Sequence, residues 1–218
     1  MASPDTAAPA TPSRRARLRG DMEQKILLQA EEVFAQLGFD GASINIIAER
    51  AGVSKQNLLY YYPNKLSLYK RVLDDVMSAW LQSLDALAHT DLPPAEALDA
   101  YIDAKIDFSV NRPNGSRVYA LEIIGGARNY GKEIKARLVP MLHQNIATLE
   151  SWMEAGLADQ VSAEHLIFAI WASTQAYADF SSQMQLVLGK KRLTSADQSI
   201  ARATLKTLVK RTLKLEEE

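Results

Sequence analysis

The chain has 218 residues, 47% of them hydrophobic, with 25 basic against 26 acidic side chains and a formal net charge of −1. That length and apolar content suffice for one large core or two modest ones. The absence of cysteine excludes disulfide staples and thiolate chemistry, and the near-neutral balance excludes a protein that holds nucleic acid through a uniformly basic surface.

In chain order, residues 1–20 form a Pro/Ala/Ser-rich arm that collects Arg14, Arg15, Arg17 and Arg19. Such a run fits a solubilising tail or a basic, acid-poor transit-like segment as well as a nucleic-acid-binding arm. No apolar stretch follows it as in a secretion signal, so a cytoplasmic location is expected. Asp21, with Gln24 three positions on, has the spacing of a capping box and is expected to open the first helix. Ile26, Leu27, Ala30, Val33, Phe34 and Leu37 line one face of that helix, and Gly38 closes it.

The segment SINIIAERAGVSKQNLLYYYPNK, residues 43–65, encodes two short helices around a glycine turn, followed at once by a third helix. Ser43 can cap the first, whose Ile44, Ile47, Ala48 and Ala51 recur at helical spacing. Gly52 can take the left-handed conformation wanted just past a helix end. Ser54 then caps a second helix that starts with Lys55, Gln56 and Asn57 and is held to a core by Val53, Leu58 and Leu59. Two helices joined by so short a turn have the build of a DNA-reading helix-turn-helix, although an ordinary helical hairpin shares the pattern. Lys55, Gln56 and Asn57 are candidates for base edges in the major groove. Tyr60, Tyr61, Ser43 and Lys65 are candidates for phosphate, the last where a helix N-terminus favours an anion, and Ser54 is a further candidate for DNA contact. Tyr62, between two helices, reads as core. The arginine arm beside this head can reach phosphates or a minor groove and would add affinity more than sequence choice.

From residue 68 onward the pattern is amphipathic helix with few interruptions, so the chain is expected to be all-α: a head at 21–67, then a helical region at 68–218. Tyr69, Val72, Leu73, Val76, Met77, Trp80, Leu81 and Leu84 make one stripe that ends near DLPP. Helices are expected over 95–110, over 116–127 after a turn at 111–115, and up to Gly156 with a break at Pro140. A long one is expected over 162–189, and a last one opens at Ser195. The final two carry apolar faces, His165, Leu166, Ala169, Ile170 and Tyr177 on one and Leu205, Leu208, Val209 and Leu213 on the other. Such faces suit pairing across a twofold axis or completion of the monomer core.

GARNYGK, residues 126–132, has the glycine-and-lysine spacing of a phosphate-binding loop. Glu133 follows where Ser or Thr is needed, and no strand leads in, so the run reads as a turn between helices. His89, His143 and His165 stand in no metal-ligand spacing, and neither cofactor nor metal is expected. In HLIFAIWASTQAYADF, Trp171, Gln175 and Asp179 recur every four residues, so a flat ring and polar groups share one face of an apolar helix. A planar heterocycle carrying N–H and C=O groups could stack on Trp171 and pair with Gln175, or the polar pair could satisfy itself.

The ordered run LGFDGASINIIAERAGVSKQNLLYYYPNKLSLY resembles the N-terminal domain of TetR-type transcriptional regulators. That resemblance implies a homodimeric, all-helical regulator of double-stranded operator DNA with an effector pocket in its C-terminal region, no catalytic activity and no membrane attachment. NLLYYYPNKLSLY, SRVYALEIIGGA and HLIFAIWASTQAYADF resemble the family's pyrimidine-utilisation regulators, which implies uracil or thymine as effector. It also adds Trp80, Arg117 and Glu122 to the pocket candidates, while residues 111–135 depart from the pattern. Another small effector, or control by a protein partner, is the competing reading.

Overall fold

A computed structural model describes residues 14–215, with side chains from residue 18 onward. Among the described residues the chain is helical throughout. The head comprises α1 (Arg14–Gly41), α2 (Ile44–Ala51) and α3 (Lys55–Tyr61), and α4 (Lys65–Ala88) runs from it into the body. The body adds α5 (Pro94–Asn111), α6 (Pro113–Ile124), the single turn α7 (Gly131–Glu133), α8 (Val139–Glu154), α9 (Ala163–Asp179), α10 (Ser181–Leu188) and α11 (Ser195–Thr212). None of these helices is long and apolar enough to cross a membrane.

The local signals of the head act as their chemistry requires. Ser43 Oγ accepts the Ile46 N–H at 3.3 Å, and Ser54 Oγ accepts that of Asn57 at 3.1 Å. Gly52 lies between the two helices at φ +64°, where any Cβ would be strained. Asn64 caps α4 in a reciprocal box with Ser67.

Four boundaries differ from the sequence expectation, each for a local reason. The first helix already runs from Arg14, because Arg, Ala and Leu are good helix formers; Asp21 therefore lies inside it and caps nothing. The expected turn at 111–115 shrinks to Arg112, since Pro113 starts α6 at a position where a missing N–H costs nothing. Gly115 is thereby drawn into α6, where a Cβ would meet Val76 Cγ2 at 3.1 Å, so α6 lies unusually close on α4. Ahead of Pro140, the segment Ile134–Leu138 widens into a π-helical turn, with Val139 N–H bonded to Ile134 O, which accommodates a residue that cannot donate. The long C-terminal helix breaks at Phe180, where Ser181 Oγ takes the Ala178 carbonyl.

Two apolar cores result. One joins Ile26, Phe34, Ile47 and Leu58 of the head to Tyr69, Val76 and Met77 of α4 and to Val118 and Tyr119 of α6. The other packs α5, α8, α9 and α11 around Leu98, Ile102, Ile106, Leu149 and Ile167. Head and body thus meet on α4 and α6 through continuous apolar contact.

Candidate functional site

The head presents a polar edge. Lys55, Gln56 and Asn57 are exposed at the start of α3, and none of their side chains has a hydrogen bond or ion pair among the described residues. Leu58 beneath them is fully buried, so the helix is fixed while its outer side chains are free. Tyr60 is 71% exposed and stacks edge-on against the half-buried Tyr61, while Tyr62 is core and donates to Glu23 at 3.2 Å. Arg19 lies 5.9 Å from the Tyr60 ring and 6.0 Å from Tyr61, so α1 carries a cation to the edge of α3. Arg14, Arg15 and Arg17 belong to the helical start of α1, and their side chains lie outside the described residues.

Lys65 is engaged elsewhere than expected. Its Nζ donates to Phe39 O at 2.7 Å, Ala42 O at 2.9 Å and Asp40 O at 3.4 Å, and sits 4.5 Å from the Phe39 ring. The amine holds the carbonyls left without donors where Gly38 breaks α1. In this arrangement it is a staple of the head, not a free phosphate ligand. The hydroxyls of Ser43 and Ser54 are likewise occupied in capping.

In the body, a cavity of about 40 Å³ lies among α4, α5, α6, α9 and the π-helical turn before α8, lined by Trp80, Leu84, Tyr101, Lys105, Tyr119, Leu138, Trp171 and Gln175. Trp80, Trp171 and Gln175 therefore line one cavity. The Gln175 amide has no partner among the described residues, and the Trp80 Nε1 donor is buried without an acceptor. Trp171 Nε1 donates to Tyr101 Oη at 2.6 Å, which fixes the indole plane. Burial pushes the Tyr101 phenol well above its ordinary pKa, so it stays protonated with its own O–H to give.

Lys105 was not singled out in the sequence. It is 3% exposed and places Nζ 4.2 Å from the Trp80 ring centroid. Desolvation lowers its pKa to about 7, partly opposed by the charge of Asp179. The signal was a lysine on the apolar stripe Leu98, Tyr101, Ile102 and Ile106, a position that a charge does not occupy without cause.

The other three pocket candidates are drawn away. Glu122 is buried beneath the turn after α6, where it accepts from Tyr69 Oη at 3.1 Å, Asn129 N at 2.6 Å, Asn129 Nδ2 at 3.2 Å and Tyr130 N at 2.9 Å. It organises the backbone that passes through Gly126 and Ala127 at positive φ, so GARNYGK is indeed a turn between helices. Asp179 accepts from Ser116 Oγ at 2.9 Å, and Arg117 reaches the Ala178 carbonyl at 3.5 Å. Both hold the end of α9 to α6 outside the cavity wall. Burial raises the Asp179 pKa despite Ser116 and Arg117.

A second, wider groove of about 360 Å³ runs along α9 and α11, lined by Ile102, His165, Leu166, Ile170, Leu205 and Leu208 among others. It offers apolar side chains at a surface, whereas the smaller cavity gathers buried polar groups without partners.

Residues 26–72 match the family model described as bacterial regulatory proteins, tetR family, and residues 73–216 match that of the YcdC-like protein, C-terminal region. The chain belongs to the TetR family. Within it, the chain is 38% identical over 179 residues to the HTH-type transcriptional regulator RutR of Escherichia coli (strain K12), covering 82% of this chain and 84% of RutR. This TetR protein also shares its fold with SCO4942 from Streptomyces coelicolor, at TM-score 0.67 and 22% identity over 88% of this chain and 98% of that one. AibR in complex with isovaleryl coenzyme A and operator DNA aligns at TM-score 0.66 and 17% identity, over 85% and 97% of the two chains. As a TetR protein the chain is a DNA-binding transcriptional regulator and not an enzyme. That assigns the free polar edge of α3 to the head of a regulator and rules out the hairpin of an ordinary bundle.

Proposed function

We propose that this TetR regulator binds a palindromic operator as a homodimer and is switched by a small planar heterocycle, a pyrimidine base such as uracil or thymine, held between Trp80 and Trp171. The observation that carries the effector is the unpartnered Gln175 amide beside two indoles in the body cavity. An amide offers one acceptor and two donors, which complement the alternating C=O and N–H edge of a pyrimidine. The sequence resemblance to pyrimidine-utilisation regulators points the same way.

Base contacts fall to Lys55, Gln56 and Asn57, and phosphate contacts to Arg19, Tyr60, Tyr61 and the arginines Arg14, Arg15 and Arg17. Pairing of α9 and α11 with their twofold mates would cover the wide apolar groove and set two recognition helices about 34–36 Å apart, one turn of DNA. Ligand then changes operator affinity by binding one spacing of the heads better than the other. A coupling of about 1–3 kcal/mol gives roughly a 5- to 150-fold change.

Mobility-shift titration against a promoter pool, with and without uracil or thymine, tests the reading. Retarded DNA whose fraction changes with pyrimidine supports it. Binding that persists unchanged at every pyrimidine concentration removes the effector, and no binding to any DNA removes the operator.

A further inference from the structure

The cavity is short of acceptors. Lys105 brings an ammonium with no hydrogen bond or ion pair among the described residues, resting only on the face of Trp80. Trp80 Nε1 is a second buried donor without an acceptor. The Tyr101 hydroxyl accepts from Trp171 and has its own proton left to donate. Gln175 alone supplies a free acceptor, and it comes with two further donors.

The groups facing Lys105 do not balance its charge. On α4 the cavity presents Trp80 and Leu84, and on α6 Tyr119, whose phenol burial pushes up to about 12, so neither side carries an anion. Tyr101 on α5 is also held protonated. On α9 Asp179 is the carboxylate whose field reaches Lys105, but it accepts from Ser116 Oγ and lies beside Arg117 outside the cavity wall. A buried cation without a contacting anion is costly, and a ligand that brings the missing charge recovers that cost on binding.

The geometry points to an acidic effector: a planar monocyclic heterocycle bound as its anion, with the ionised imide or enolate oxygen facing Lys105 Nζ and the Trp80 N–H. This rests on the assignment of the cavity as the effector site and narrows the class within it, favouring ring acids over neutral bases of the same outline. Burial has lowered the Lys105 pKa to about 7, so the amine is partly neutral in the empty site near neutral pH and takes up a proton as the anion enters.

Titration calorimetry of the full chain at pH 7 with uracil, 6-azauracil and barbiturate separates the possibilities. These rings are similar in outline; uracil is neutral, 6-azauracil ionises near neutral pH, and barbiturate is ionised. The expected result is tighter binding of barbiturate and 6-azauracil than of uracil, by roughly tenfold or more, since a charge-assisted bond replaces a neutral one. Binding enthalpies of the anions should also vary with the ionisation enthalpy of the buffer, reporting proton uptake. In Lys105→Met, with helical circular dichroism retained, the preference for the anions over uracil should collapse. Uracil equal to or tighter than both acids in the parent protein overturns the charge assignment and leaves the cavity assignment standing, as does an unchanged ranking in Lys105→Met. Failure of all three rings to bind overturns both.

Discussion

Replacing Lys105 with Met should make the ligand-free protein more stable at low pH than at high pH, relative to the parent. Burial depresses the lysine's pKa in the folded protein from 10.5 to about 7. Between those values the unfolded chain binds more of this proton than the folded one, so the parent gains stability as pH rises through the window. The penalty is complete below about pH 7 and gone above about pH 10.5. A gap of that size corresponds to about 5 kcal/mol. Methionine has nearly the same reach and no charge, so the pH-dependent part of the difference between the two proteins is this linkage alone. The variant should therefore gain about 5 kcal/mol over the parent at pH 6 and lose most of that advantage by about pH 10. Urea unfolding at fixed protomer concentration, at pH 6, 8 and 10, measures the difference, and titrating groups common to both proteins cancel. A stability difference that does not change with pH, or a variant weaker at pH 6 than at pH 10, would refute the account of Lys105 as a desolvated cation.

Trp171→Ala should abolish the effector response in a mobility-shift assay while leaving operator affinity intact, because the indole touches the cavity and not the head. Asn57→Ala should cost about 1–3 kcal/mol on the operator and little on unrelated DNA, whereas Arg19→Ala should weaken all sequences alike and lower the salt slope by about one. Lys65→Met should lower the melting temperature, since it leaves the carbonyls of Phe39, Asp40 and Ala42 without their donor at roughly 1–3 kcal/mol in total. An unchanged melt together with a shallower salt slope would return Lys65 to the phosphate-binding set.

From Ser43 onward the head was legible because each boundary there is set by a residue whose preference is local. Ser43, Gly52 and Ser54 cap or turn the chain by their own chemistry, and the periodic apolar residues can face only one way. The pocket was half legible. Trp171 and Gln175 stand one helical turn apart on an apolar helix, so their shared face could be read directly. Glu122, Arg117 and Asp179 carry the same kind of polar group, yet their partners lie on other elements or across a turn, and nothing in their own spacing revealed that Tyr69, Asn129, Tyr130 or Ser116 would claim them. Lys105 was missed for the converse reason: nothing beside it in the sequence marks it, and its meaning came only from Trp80 packing over it from α4. The bonding of Lys65 was not legible because the carbonyls that capture it lie beside the break at Gly38, far along the chain.

Those same tertiary contacts bear on how an occupied cavity can reach the DNA. α6 is the element bonded to both ends. Its Ser116 holds Asp179, one turn beyond Gln175 on α9, and Arg112 at its N-terminus donates to Glu31 of α1 at 2.6 and 2.8 Å. Glu31 is 6% exposed, so that pair cannot be exchanged for water at little cost when α1 moves relative to α6. The close seat of Gly115 on Val76 likewise leaves α6 little room to slide over α4. A ring that draws Trp171 and Gln175 toward Lys105 would thus pull on α9 and, through Asp179 and Ser116, on a helix whose other end is locked to α1. Arg112→Gln should uncouple the two, leaving effector affinity and operator affinity each measurable while the effect of one on the other shrinks. A full effector response in that variant would place the transmission in the α4 core instead.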